Sequence, residues 1–170
     1  MIAPLSLANL ATIVFAALCF STISPQAKGA AVRYWRLAVP ASLAMGQALV
    51  MLAGIFDVTL ASDLVWVAAA FLGGLLGRMR GWSTPITIDP RAGLVRQSRA
   101  FDSAIVAALL VVLAAVDFVS AALQRPLMDP DWVAAGAAFC AGFLCCRALA
   151  TVAKAERQQK SDGAIAGASD

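Results

Sequence analysis

The chain has 170 residues, 61% hydrophobic and only 14% charged, with a mean hydropathy of +0.82 and a formal net charge of +3. A soluble domain is about 45–50% apolar and about 25% charged, so this chain has too little polar surface to coat a water-soluble globule, and a soluble enzyme is excluded. Histidine is absent, which removes His-ligated haem, most zinc sites and any His general base.

A helix needs roughly 20 apolar residues to cross a hydrocarbon core of about 30 Å. Five stretches meet or approach that length, and they predict an all-α membrane protein with spans at about 5–24, 37–56, 58–77, 103–123 and 132–151. The first stops before Pro25. No Lys or Arg precedes its apolar run, a pattern that favours a retained helix over a cleaved leader. In the third, Asp63 leaves only 64–77 free of charge, about 21 Å of helix, so this carboxylate is expected at headgroup level.

The basic residues predict the orientation. Lys28, Arg33 and Arg36 lie in the first loop, and Arg78, Arg80, Arg91, Arg96 and Arg99 in the third. Arg147, Lys154, Arg157 and Lys160 lie at or after the end of the fifth span, and only Arg125 falls on the other side. Asp57, Asp63, Asp129 and Asp131 occupy the opposite loops. By the positive-inside rule the N-terminus is outside and the C-terminus inside. The four tryptophans, Trp35, Trp66, Trp82 and Trp132, all fall near predicted interfaces.

The third loop contains two strand-like runs, Pro85-Ile86-Thr87-Ile88 and Leu94-Val95-Arg96-Gln97, around Asp89-Pro90-Arg91-Ala92-Gly93. Pro, Asp and Gly are turn formers for separate steric reasons, so a small cytoplasmic β-hairpin is expected between the third and fourth helices. An isolated hairpin is marginal in water and needs a surface to dock on. The polar tail, 154–170, is expected to be disordered from Ser161 onward, where no apolar periodicity remains.

Candidate chemistry is sparse. Asp117 is the one acidic residue well inside a span, and Asn9 and Gln47 reach similar depths in other spans. An intramembrane carboxylate is expensive and is a functional hypothesis by default. A cluster of Asn9, Gln47 and Asp117 would bind a cation, pass protons, contact lipid or substrate, or simply hold helices together, with Arg125 as another partner for Asp117. Arg78, Arg80, Arg91, Arg96 and Arg99 with Trp82 form a candidate basic platform for anionic lipid headgroups. Nucleic acid is not an expected partner, because no recognised binding fold accompanies these charges.

Cys19, Cys140, Cys145 and Cys146 contain no C-x-x-C pair and read as packing residues, with redox or metal handling as the alternative. Stripes of small residues, Ala69, Gly73 and Gly77 on the third span and Ala138, Gly142 and Cys146 on the fifth, fit internal packing or a homodimer seam. No phosphate-cradling loop, no nucleophile with a nearby base and no paired intramembrane carboxylates are found, so no catalytic residue, metal site or cofactor is expected.

The stretch from Gly77-Arg78 through the hairpin to Arg96-Gln97-Ser98-Arg99-Ala100-Phe101, followed at once by an apolar span, resembles the CcdC-like group of small bacterial membrane proteins. The likeness lies in the layout of the spans and in about twenty-five residues of the third loop. It implies a multi-pass protein of the bacterial cytoplasmic membrane and a link to envelope or cytochrome c biogenesis, and it brings no catalytic residues with it. The expected function is a non-catalytic accessory protein with a membrane-protein partner or a second copy of itself. The alternatives are a small transporter or channel component built on Asn9, Gln47 and Asp117, and a thiol or haem-delivery helper. The last fits poorly with the lack of His and C-x-x-C.

Overall fold

Apolar runs of this length carry no water-facing side to satisfy the backbone, so each must close its own N–H and C=O groups as a helix. The computed structural model describes residues 6–54, 60–89, 94–97 and 101–167. In chain order its elements are α1 (Leu7–Ala27), β1 (Ala31–Arg33), α2 (Tyr34–Gly54), α3 (Leu60–Ser83), β2 (Ile86–Asp89), β3 (Leu94–Gln97), α4 (Phe101–Leu123) and α5 (Pro130–Gly167). All five helices are long and apolar enough to cross a membrane.

Helices α1, α2, α5 and α4 pack in a ring, each against the next, and α3 lies outside that ring along α5. The ring encloses the main core, built from Cys19, Ile23, Ala44, Met51, Leu110, Cys140 and Leu144 among others. The α3–α5 seam is made by small residues. A Cβ on Gly73 would collide with the Phe139 carbonyl, one on Gly77 with the Phe143 carbonyl, and one on Gly142 with the Ala70 carbonyl. The stripes seen in the sequence therefore serve internal packing, and Gly81, which meets Ala150 and Arg147, extends the α3 stripe by a further turn.

That extension corrects the end of the third span. α3 continues to Ser83 instead of stopping at Gly77, so Arg78 and Arg80 stand on a helix and not in the loop. α1 likewise runs through Pro25 to Ala27. Its end is closed by Gly29 at φ 76, with Gly29 N–H donating to the Gln26 carbonyl and Ala30 N–H to the Pro25 carbonyl. The same left-handed cap ends α4, where Gln124 takes φ 49 and Arg125 N–H donates to the Ser120 carbonyl. Pro40 sits inside α2 and cannot donate to the carbonyl of Arg36 one turn back. Gln26 Nε2 of α1 takes that carbonyl instead, at 3.4 Å.

The expected hairpin is present as β2 and β3, paired antiparallel from Ile86↔Gln97 to Asp89↔Leu94, and its turn lies outside the described residues. It is not a two-stranded unit. β1 from the first loop pairs with β3 in the register Ala31↔Arg96, Val32↔Val95 and Arg33↔Leu94, giving a three-stranded sheet of order β1-β3-β2. The sheet docks through the fully buried Val95 onto Leu37 of α2 and Ala155 of α5, a second small core. This meets the docking requirement that the hairpin alone raised.

α5 carries the sheet because it outlasts the bundle. It is 38 residues long, roughly 57 Å at the helical rise, and it continues to Gly167 through the stretch expected to be disordered. Ala, Glu, Arg, Gln and Lys between Ala153 and Lys160 are good helix formers. Lys154 Nζ donates to the carbonyls of Trp82 and Thr84 at 3.0 and 2.8 Å, closing the end of α3. Arg157 lies over the Trp82 ring at 5.0 Å.

Candidate functional site

The bundle has two ends, one bearing the sheet and one bearing the α4–α5 loop. Two polar sites lie inside it, one toward each end.

Near the loop end, Asn9 sits in the first turn of α1 and Asp117 in the last two turns of α4. Both are buried, at 2% and 7% exposure. Asn9 Nδ2 donates to Asp117 Oδ2 at 3.0 Å. The other face of the amide is also engaged, since Asn9 Oδ1 accepts from the backbone N–H and the hydroxyl of Ser6 at 3.0 and 2.8 Å. The N-cap of α1 thus orients the amide so that its NH2 faces the carboxylate. This closed chain, Ser6 to Asn9 to Asp117, ties α1 to α4.

Gln47 does not join it. Its Nε2 reaches across the ring from α2 to the Leu110 carbonyl at 3.4 Å, and its Oε1 has no hydrogen-bond partner among the described residues. Leu110 lies two turns from Asp117 along α4, roughly 10 Å of rise. The three-residue cluster expected from depth alone is therefore one pair and one separate crossing. The Arg125 alternative also fails among the described residues, where Arg125 makes no ion pair with Asp117 and is exposed.

The candidate basic platform is divided as well. Arg78 and Arg80 are exposed on the last turns of α3, and Arg96 is exposed on β3, where its Nε donates to the Gly29 carbonyl at 3.1 Å. Arg91 and Arg99 lie outside the described residues. Arg96 thus helps to pin the first loop to the sheet in addition to presenting charge.

Composition and depth gave no warning of the second polar site. Arg147 of α5 is buried to 4% exposure near the sheet end. Its Nη1 lies 3.9 Å from Asp102 Oδ2 in the first turn of α4, and Arg80 Nε approaches the same oxygen at 3.5 Å. The signal was a lone guanidinium between Cys146 and Ala148 in an apolar span, matched in level by an acidic residue opening the fourth span. The Cys19 thiol donates to the Pro40 carbonyl at 3.4 Å, and Cys140 is buried in the same main core.

No known protein family, curated protein or solved structure matches the chain.

Proposed function

We propose that the chain is a non-catalytic accessory or assembly protein of a bacterial cytoplasmic membrane, serving envelope or cytochrome c biogenesis, with the sheet end in the cytoplasm. The observation that carries this reading is the sheet itself: a rigid three-stranded surface, anchored on α2 and on the projecting part of α5, at the end of the bundle that collects the basic residues. Pairing of β1 with β3 supports placing the first and third loops on one side of the membrane, since the two intervening helices return the chain to the side it left. The assignment of that side to the cytoplasm rests on the basic residues. The basic residues of that end suit anionic headgroups, and the sheet edges suit a membrane-protein partner or a second copy.

The test compares the full-length chain with Val95→Asp, which undocks the sheet while leaving the spans intact. Recovery from mild detergent, read by quantitative mass spectrometry, should give a stoichiometric partner for the wild type and lose it in the variant. A partner retained equally by both would remove the sheet from the function. A C-terminal alkaline phosphatase fusion active outside the cytoplasm would overturn the orientation.

A second reading, a small transporter or channel component, is favoured by the buried Asn9–Asp117 bond. Asp117→Asn keeps an amide-sized acceptor at that place but removes the ionisable group. Loss of transport in proteoliposomes with the fold intact would favour this reading.

A further inference from the structure

At the sheet end, Arg147 and Ser103 line a half-open cleft of about 20 Å³ together with Gln26, Ile23, Leu37 and Pro40. A site needs roughly 10–15 Å³ to hold one water-sized atom, so the depth of the cleft admits a single oxygen. Arg147 Nη1 has no hydrogen-bond partner among the described residues, although the residue is almost wholly buried. A guanidinium offers five N–H donors, and a buried donor left unpaired is unfavourable. Asp102 does not relieve it: the carboxylate oxygen stands beyond hydrogen-bond distance and is shared with Arg80. Two guanidiniums share one carboxylate, which leaves the Arg80–Asp102–Arg147 group with a net positive charge.

The other polar groups there are already sorted. Thr151 donates its hydroxyl to the Arg147 carbonyl at 2.9 Å, and Gln26 spends its NH2 on the Arg36 carbonyl. Ser103 belongs to the first turn of α4, whose backbone N–H groups have no partner within the helix and form the positive end of its dipole. A buried cation, a hydroxyl and a helix N-terminus therefore converge on a space with an apolar floor. That combination selects an oxyanion.

We propose that this cleft binds a phosphate group, one oxygen entering between Arg147 and Ser103 and the phosphorus remaining at the mouth. The group is supplied by an anionic phospholipid headgroup or by free phosphate. The lipid source rests on the membrane reading above, under which Arg147, about 26 Å of helix from Pro130, lies roughly one turn inside the edge of a hydrocarbon core of about 30 Å, within reach of the headgroups for a long side chain. The phosphate chemistry does not depend on it.

The test is a native mass-spectrometric titration of the purified full chain with phosphatidylglycerol, phosphatidylcholine and inorganic phosphate. The variants are Arg147→Gln, Ser103→Ala and Asp102→Asn, each checked for an unchanged elution volume and helix content. The wild type should retain one phosphatidylglycerol in preference to phosphatidylcholine. Arg147→Gln should weaken that retention by about tenfold or more, the size expected for a hydrogen bond to a charged group. Ser103→Ala should weaken it less, and Asp102→Asn, which removes the competing carboxylate, should strengthen it. Displacement of the lipid by millimolar inorganic phosphate would assign the site to the free ion, and failure to displace it would assign the site to the lipid.

Equal retention of the two lipids without phosphate binding would overturn the proposal. So would a phosphatidylglycerol preference unchanged in all three variants, since it would then belong to the exposed arginines. If Arg147→Gln does not fold, the opposite shifts expected of Ser103→Ala and Asp102→Asn decide the matter. Failure of the chain to partition into liposomes would instead strike the membrane reading, leaving the phosphate arm to judge the cleft.

Discussion

Asp102 and Asp117 stand on the same helix, roughly 22 Å of rise apart, and differ in the company they keep. Asp117 is buried and meets one donor that is itself held from behind by the N-cap of α1. Asp102 is 37% exposed at its side chain and is shared, at longer range, by a buried arginine and an exposed one. The first arrangement engages both ends of the Asn9 amide and acts as a strut between α1 and α4. The second leaves a buried cation only partly answered. Buried polar groups with hydrogen-bond partners help to fix a structure, and a buried charge without one calls for an explanation.

The largest expected effect tests the strut. Asp117→Ala strands Asn9 Nδ2 in the core and should lower stability by roughly 1–3 kcal/mol, read from thermal unfolding in detergent. Asn9→Ala added to that background should cost less than Asn9→Ala alone, because the two residues act as one unit. Strict additivity would dissolve the contrast drawn between the two carboxylates.

Arg147→Met should do less, despite deeper burial. It removes a charge whose partner is distant and leaves Asp102 exposed enough to be served by Arg80, so stability should stay within about 1 kcal/mol of the wild type or rise. A loss as large as that of Asp117→Ala would make Arg147 a second strut. Gln47→Leu should be neutral or stabilising by up to about 1 kcal/mol, since it deletes an unpartnered oxygen and one long hydrogen bond. The smallest effect belongs to the frame behind Asp117. Gln124 holds φ 49 at the end of α4, and Gln124→Gly should raise the unfolding midpoint by the equivalent of about 0.5 kcal/mol.

Much of the fold was legible because hydropathy is a length measurement, and the bilayer fixes the length. All five helices fall where the apolar runs put them. Their ends do not, because the end of α3 is set by Gly77 and Gly81 fitting α5 and the end of α5 by helix-forming polar residues, neither of which registers as hydropathy. The β2–β3 hairpin announced itself through a local turn. β1 did not, since Ala31-Val32-Arg33 is three unremarkable residues whose partner strand is two helices away.

The same limit governed the sites. Depth along a span correctly suggested Asn9 with Asp117, but depth says nothing about which faces of the helices meet, and so Gln47 was grouped with them when it faces Leu110. Arg147 and Asp102 are visible as charges, but Arg147 reads as part of the positive-inside pattern and Asp102 carries no signal of its own. That they share one cleft depends on α4 and α5 being neighbours, which no spacing within either segment reveals.

The sheet also has an order of manufacture. A ribosome adds on the order of 5–20 residues per second, so β1 leaves it several seconds before β3, roughly 60 residues later. Throughout that interval β1 is a strand without a mate, and α2 and α3 are inserted while it waits. Under the proposed topology, if one of the two helices fails to cross, the strands finish on opposite faces of the bilayer and Val95 has no core to enter. Formation of the sheet is thus, in that topology, a late event that fails when one of the two intervening crossings is missing.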